Sequence, residues 1–490
     1  MRTNLLCLLS VVFLAGACRS GENPQYDLSP GKDASLPPTD FAGVDLTGVD
    51  LTTPPADLAT ADLSGADLAQ ADLAGTDLAA PDLAVPPADA GVGDGAVLPP
   101  DMTGVDLAYP PPFAAAKSYA VGGGPLALAT GDVNADGHAD LVVTNVNAPA
   151  AATPVSSTIS VLLGVGDGTF GTQATFPVSA IPYSVALRDI DGDNKLDAVV
   201  CGSTGLDVLH GDGAGSFASI LHVSAGNMTS SLRDCVVLDV NGDGRPDIAE
   251  RDVGNASVLV YPGKVSGAGT TYTAATAVSF PVSTMAGRIP TALGSGDING
   301  DGKVDLLSGN FISSSLSTFS TLLNTFTTAG AVPSFAASSA EVQTGSVPFF
   351  VGAYDLDGAN KLDIAVVNLA SNTVGIYLSD SAVAGTVSFA AVASYAVGSG
   401  PQALTIADMD SDGFKDLVVI SLNTSTVSVL YGDGSGVFGV PNAKRLGTET
   451  VTVGTSPSDL VQGTFNADAK IDIATVNQDS NDVSVLINRR

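Results

Sequence analysis

From residue 113 onward, short apolar runs alternate with clusters of Asp, Asn and Gly, and the alternation repeats. The runs LVV at 141–143, AVV at 198–200 and LVVI at 417–420 each follow an acidic cluster and are too short for a helix. They predict short buried strands. A second run follows, as in TISVLLG at 158–164, TVSVLYG at 426–432 and DVSVLIN at 482–488. Then come GVGDGTF at 164–170, HGDGAGSF at 210–217 and YGDGSGVF at 431–438, whose glycines suit the positive backbone angles of a hairpin turn. A further strand closes the unit, for example TQATFPV at 172–178. Another precedes each acidic cluster, as in LALATGD and QALTIAD.

The acidic clusters define the period. DVNADGHAD at 132–140, DIDGDNKLD at 189–197, DVNGDGRPD at 239–247 and DINGDGKVD at 297–305 are followed by DLDGANKLD at 355–363, DMDSDGFKD at 408–416 and a worn copy, TFNADAKID, at 464–472. Pro125, Pro182, Pro290, Pro348, Pro401 and Pro457 each stand seven residues before a cluster, and Leu232 replaces proline in the third copy. Proline lacks a ladder donor and is tolerated at the first residue of a strand. Four antiparallel strands per unit and seven units predict an all-β, seven-bladed propeller over 113–490. The last copy ends after its third strand, and AAAKSYAV at 114–121 resembles the fourth-strand segment ASYAV at 393–397. The N-terminal strand is therefore expected to complete the seventh blade and remove the open edge. A calcium-bound parallel β-helix is excluded, because its motif recurs about every nine residues.

Within each cluster, oxygen donors fall at positions 1, 3, 5 and 9. Ca²⁺ takes six to eight oxygens, and alternating carboxylates on a tight loop can surround it. The expected side-chain ligands are Asp132, Asn134, Asp136 and Asp140; Asp189, Asp191, Asp193 and Asp197; Asp239, Asn241, Asp243 and Asp247; and Asp297, Asn299, Asp301 and Asp305. Asp355, Asp357 and Asp363, then Asp408, Asp410, Asp412 and Asp416, continue the series. Position 7 holds His138, Lys195, Arg245, Lys303, Lys361, Phe414 and Lys470. No chemistry unites these side chains, so position 7 is expected to offer only its backbone carbonyl. Position 6 calls for a left-handed residue, met by Gly137, Gly244, Gly302 and Gly413 and tolerated by Asn194 and Asn360. Ala359 in the fifth copy, and Thr464 and Ala469 in the seventh, predict weak or empty sites.

Loop, proline and turn recur together, and in this the chain resembles the FG-GAP (or VCBS-type) repeat family, the propellers of integrin α subunits and many bacterial surface proteins. The resemblance implies calcium loops in the hairpin between the first and second strands, serving structure while ligands bind elsewhere.

The N-terminal region reads differently. Arg2, the apolar run at 5–17 and Cys18 describe a signal peptide over 1–17. Ala15, Gly16, Ala17 and Cys18 resemble a bacterial lipobox, although Ala15 stands where leucine is usual. That resemblance implies lipidation at Cys18 and an extracytoplasmic protein, periplasmic or at the cell surface. Arg19 in place of an Asp favours the outer membrane. Residues 18–112 are low in complexity, with ADLAT, ADLSG, ADLAQ, ADLAG, TDLAA and PDLAV in succession from residue 56. They resemble pentapeptide repeats, but six units make too few coils for a solenoid core. A disordered acidic tether is expected, rich in Asp, Ala and Pro.

The formal net charge of −32 excludes a basic footprint for nucleic acid. His138 lies in a metal loop, His210 precedes a hairpin turn and His222 lies in a fourth strand, none beside a recognisable partner motif. A monomeric binding or adhesion scaffold with a glycan or surface-protein ligand is expected. A polysaccharide lyase or hydrolase on the same propeller is the alternative. Arg233, Arg288 and the long loop at 144–157 fall on the face opposite the acidic clusters, where a ligand would be sought. Whether Cys201 and Cys235 form a disulfide stays open, although an extracytoplasmic site permits one.

Overall fold

The computed structural model describes residues 111–147, 157–179, 181–224, 234–266, 269–273, 276–313, 315–337, 341–381, 385–390, 392–439 and 447–490. The signal peptide, Cys18, the tether, Arg233 and residues 148–156 of the long loop lie outside them. Every named element among the described residues is a strand.

Six blades run consecutively along the chain, each a four-stranded antiparallel meander. The first blade, for example, is Gly123–Gly131, Asp140–Asn147, Thr158–Leu162 and Ala174–Pro177. In the seventh blade, Pro457–Gly463, Asp472–Asn477 and Asp482–Leu486 are completed by the N-terminal strand Lys117–Ala120. Its register sets Lys117 against Val485 and Ala120 against Asp482. The first strand of each blade touches the first strands of both neighbours, and the seventh touches the first, so the ring closes.

Burial explains the short apolar runs. Second strands such as Asp197–Gly202 and Asp416–Ser421 are buried along their whole length. A strand covered on both faces needs no polar alternation. Its successive side chains point into two different seams: Val142 packs with the second blade, while Leu141 and Val143 pack with the seventh. Among the described residues the core is accordingly seven apolar slabs, one per seam between adjacent blades, with a small satellite of Phe311, Val347 and Leu369. Burying one Val, Leu or Ile in such a slab stabilises by about 1.5–3 kcal/mol.

Aromatic pairs fasten several seams. The fourth strand of one blade meets the turn of the next in Phe176–Phe217 and Tyr395–Phe438, at centroid distances of 5.8 and 5.7 Å and near-perpendicular planes. Tyr119 of the N-terminal strand meets Phe170 in the same way at 5.5 Å, which explains why its sequence resembles 393–397. Such edge-to-face pairs add about 0.5–1.5 kcal/mol each.

The prolines stand in the first strands, and the register shifts just after each: between Pro125 and Leu128, Pro182 and Ser184, Pro290 and Ala292, Pro348 and Phe350, Pro401 and Leu404, and Pro457 and Asp459. A bulge is where a missing ladder donor is tolerated. The third blade, without proline, has a first strand of only four residues, Cys235–Leu238. A disulfide joins Cys201 to Cys235 across the seam between the second and third blades. Cys201 lies inside the second strand of its blade, one residue before its end. The third blade also carries a two-stranded ribbon, Lys264–Ser266 with Gly269–Thr271, and the fourth an added strand, Val342–Gln343.

Candidate metal centres

All seven acidic clusters form the turn between the first and second strands of a blade, as the repeat implied. Two constraints shape the turn. Position 6 is left-handed in every copy, down to Ala469 at φ 59°. Position 4 is left-handed as well in the first six copies, from Ala135 to Ser411. Position 2 turns inward: Val133, Ile190, Val240, Ile298, Leu356, Met409 and Phe465 are all buried.

The aspartate at position 9 is the most uniform part. Asp140, Asp197, Asp247, Asp305, Asp363, Asp416 and Asp472 are buried. In each, Oδ2 accepts from the backbone N–H of position 2 at 2.7–3.0 Å. Oδ1 accepts from a backbone N–H at the end of the third strand, in its last residue (Gly211, Asn324) or two residues past it, at 2.7–2.9 Å. One carboxylate thus clasps the loop to the third strand. Burial raises all seven of these pKa values, to about 6 for Asp247 and Asp305 and about 7 for Asp416.

The outer positions behave differently. At position 1 an aspartate accepts from the N–H of position 6 at 2.7–3.1 Å in six copies. At position 5 an aspartate accepts from the N–H of position 7 at 2.8–3.0 Å. Hydrogen bonds from Asn134 and His138 lower the Asp136 carboxyl, and those from Lys195 lower Asp193. Position 3 accepts from the N–H of position 5, through Asn134, Asp191, Asn241, Asn299 and Asp357.

These bonds aim oxygens at a common point. Carboxylate oxygens of Asp189, Asp191 and Asp193 lie within 4.8 Å of one another, as do those of Asp355, Asp357 and Asp363 and of Asp408, Asp410 and Asp416. In the fifth loop, expected to be weak for want of a carboxylate at 359, the remaining three converge nevertheless. Asp355 Oδ1 is buried there without a hydrogen-bond partner. A buried anionic oxygen left unpaired is costly, and a bound cation removes that cost, so these residues fit a hard divalent ion. The seventh loop has Thr464 in place of the first ligand.

The position-7 side chains also find a place. Lys195 Nζ lies 3.0 Å from Asp193, Arg245 Nη1 3.4 Å from Asp243 and Lys303 Nζ 3.5 Å from Asp301. His138 and Phe414 lie against Gly166 and Gly434 of the hairpin turn, where a Cβ would come within 2.3 Å of either ring. The turn glycines therefore serve close approach as well as positive φ.

Neighbouring blades meet at these loops. The carbonyls of Val133 and Phe465 accept from the N–H groups of Gly215 and Gly168 in the next blade. Those of Val240 and Met409 accept from the side-chain amides of Asn324 and Asn488. Ordering a loop therefore steadies the seam beside it.

On the opposite face, Arg288 pairs with buried Glu341 at 2.9 Å, and Ser283 and Thr318 also donate to Glu341. The arginine singled out as a ligand contact is thus engaged within its own blade. Arg251, which no sequence motif marks, is buried, donates to the Pro290 carbonyl at 2.9 Å and lies 3.4 Å from Asp234. His222 Nδ1 lies 2.6 Å from Asp207 Oδ1.

A family model described as FG-GAP-like repeat matches residues 132–200, 189–250 and 355–419. A second, described as pentapeptide repeats (eight copies), matches 56–83. No curated protein matches the chain. Among solved structures, one of BBS1N in complex with ARL6DN, soaked with lead, is 10% identical, covers 78% of this chain and 98% of its own and gives a TM-score of 0.49. An Agrocybe aegerita lectin, described by its recognition of non-reducing terminal N-acetylglucosamine, is 17% identical, with coverages of 74% and 87% and a TM-score of 0.44. A functionally unknown protein from Desulfotomaculum acetoxidans is 13% identical, with coverages of 67% and 88% and a TM-score of 0.42. Likenesses at this level say nothing about ligand or activity. FG-GAP propeller domains are typically extracellular or surface proteins and fit binding or adhesion scaffolds in general. Among the described residues, no helix is long and apolar enough to cross a membrane. Its repeats matched at three places and its strands folded into seven blades, this chain is an FG-GAP repeat propeller.

Proposed function

We propose that the chain is a calcium-stabilised binding or adhesion scaffold, lipidated at Cys18 and held at the outer membrane by the acidic tether of 18–112. The observation that carries the calcium part is the convergence of carboxylate oxygens in the loops, with Asp355 Oδ1 buried and unpaired in one of them. The ion neutralises carboxylates that otherwise repel, and it holds the loop against the next blade. The propeller is then a rigid platform whose far face is left to a glycan or surface protein. The leader and Cys18 support attachment by a lipid, for which a diacyl-type anchor is sufficient.

A polysaccharide-cleaving enzyme is the second reading, supported by the Asp207–His222 pair, in which a buried carboxylate orients an imidazole.

A screen of the full chain against glycans and surface proteins, with calcium and with EGTA, tests the proposal. Saturable capture that leaves the ligand intact, and release from membranes on Cys18→Ser, are expected. Cleavage of a captured polysaccharide that is abolished by His222→Ala overturns the scaffold reading. Membrane retention unchanged by Cys18→Ser overturns the anchor.

A further inference from the structure

One loop differs from the rest in its chemistry. At the position just before the residue that clasps to the position-9 aspartate, the other blades carry Leu163, Pro262, Leu323, Leu378, Tyr431 and Ile487. Several of these pack against the next blade: Leu163 lies against Gly215, Leu378 against Gly436 and Ile487 against Gly168. The second blade has His210 there. Its Nδ1 is shielded from solvent and makes no hydrogen bond. It lies 3.5 Å from Asp191 Oδ2 and 3.6 Å from Asp197 Oδ1, too far for a hydrogen bond to either. Donor atoms of the three residues all fall within 4.8 Å of one another.

We infer that Asp191, Asp197 and His210 form a site for a zinc-class transition metal, distinct in kind from the oxygen-only loops. Two ligands bound tetrahedrally at about 2.0–2.2 Å stand roughly 3.4 Å apart, close to both separations from Nδ1. Imidazole suits Zn²⁺ and its neighbours, whereas Ca²⁺ takes oxygen. The carboxylates are already oriented: Asp197 accepts from Ile190 N–H and Gly211 N–H, and Asp191 Oδ1 accepts from Asp193 N–H. Fixing a ligand from behind in this way sharpens metal affinity. Three protein donors leave a fourth position to water. Asp191 also belongs to the group with Asp189 and Asp193, so the second loop is where zinc and calcium compete. The inference does not rest on calcium filling the other loops.

The test is zinc titration of the full-length chain, first without and then with excess calcium, followed by calorimetry, with Co²⁺ substitution read by its visible absorption. The wild type is expected to take up one tight equivalent of zinc and to show the spectrum of low-coordinate Co²⁺. His210→Leu places in this blade the residue found at 163, 323 and 378, so folding is expected to survive. It should lose tight binding, with an affinity at least tenfold lower and the cobalt spectrum gone. His210→Tyr, the residue of the sixth blade, provides a second variant with the same expected loss. Asp301→Ala, in the fourth loop, should keep the zinc. Wild type that binds no zinc, or a His210→Leu protein that binds it as tightly as wild type, overturns the site. Calcium content measured on the same samples separates this outcome from failure of the calcium reading.

Discussion

The sixth and seventh loops share a scaffold and differ in their donors. Asp416 and Asp472 are both buried, and both accept from the position-2 N–H, at 2.7 and 3.0 Å, and from the second residue after the third strand, at 2.8 Å each. The sixth loop adds Asp408 and Asp410, whose oxygens converge with those of Asp416. The seventh has Thr464 and Asn466 at the same positions. A turn can therefore lose its first anionic donor and keep its backbone. The ninth residue clasps the blade with or without the other donors, and in the sixth loop positions 1 and 3 add the oxygens that converge with it. The position-9 aspartate therefore has two functions, and only the clasp survives in the worn loop.

The largest expected effect comes from cutting the clasp. Asp416→Ala and Asp472→Ala each leave two buried N–H groups unpaired, at about 1–3 kcal/mol apiece. Both should lower stability by roughly 2–6 kcal/mol in urea unfolding in EGTA. A large loss for Asp416→Ala but none for Asp472→Ala would show that the clasp is not the same device in the two loops.

Next in size is the disulfide at the seam of the proline-less third blade. Replacing Cys201 and Cys235 by Ser should cost about 2–4 kcal/mol, and the double variant should no longer respond to reductant. A wild type whose unfolding is unchanged by dithiothreitol contradicts this.

The pH response gives a smaller effect with a definite sign. Folding raises the Asp416 carboxyl to about 7 and those of Asp247 and Asp305 to about 6, against 3.8 ordinarily, because they are buried. The folded chain then holds protons that the unfolded chain releases. In EGTA this contribution is fully present below pH 3.8 and is lost as the pH rises through about 6–7. With calcium the slope should reverse over that interval, since protons compete with the metal. Melting curves across this range, with and without calcium, check both signs. Parallel slopes would mean that the ion does not reach these carboxylates.

Smallest is the contrast between outer ligands. Asp301→Ala should remove about one calcium ion and lower the melting point only in calcium. Asp468→Ala, in the worn loop, should leave metal content unchanged. Equal losses of calcium in the two variants would erase the distinction between complete and worn loops.

Much of this was legible in sequence because it recurs. The loop, the proline and the Gly-rich turn are local, and seven copies supply the comparison that one copy cannot. The closing strand was legible because it carries the same tyrosine as 393–397, set against the same kind of turn phenylalanine. Other features needed coordinates. The inward position 2 is apolar in all seven copies, yet only burial gives that a meaning. Gly122, Gly345, Gly398 and Gly454 stand three residues before a proline, and a Cβ on them would come within 2.5–2.7 Å of Asn145, Asn368, Ser421 and Asn477. Those partners are more than twenty residues downstream. The double bonding of the position-9 aspartate hides behind its resemblance to a metal ligand. The proximity of His210 to Asp191 and Asp197 spans a hairpin and leaves no mark in any window of sequence.

The central claim is that the folded blades, and not the unfolded chain, hold calcium. The most direct measurement is the thermal unfolding of the wild-type chain at neutral pH in excess calcium and in EGTA. A ligand bound by the native state alone stabilises it by about 2.7 kcal/mol per site at a hundredfold excess over its dissociation constant. A melting temperature higher by several degrees in calcium is therefore predicted, rising further with calcium concentration. Superimposable curves, with no calcium retained by the folded protein, would contradict the account and leave the seven loops as turns.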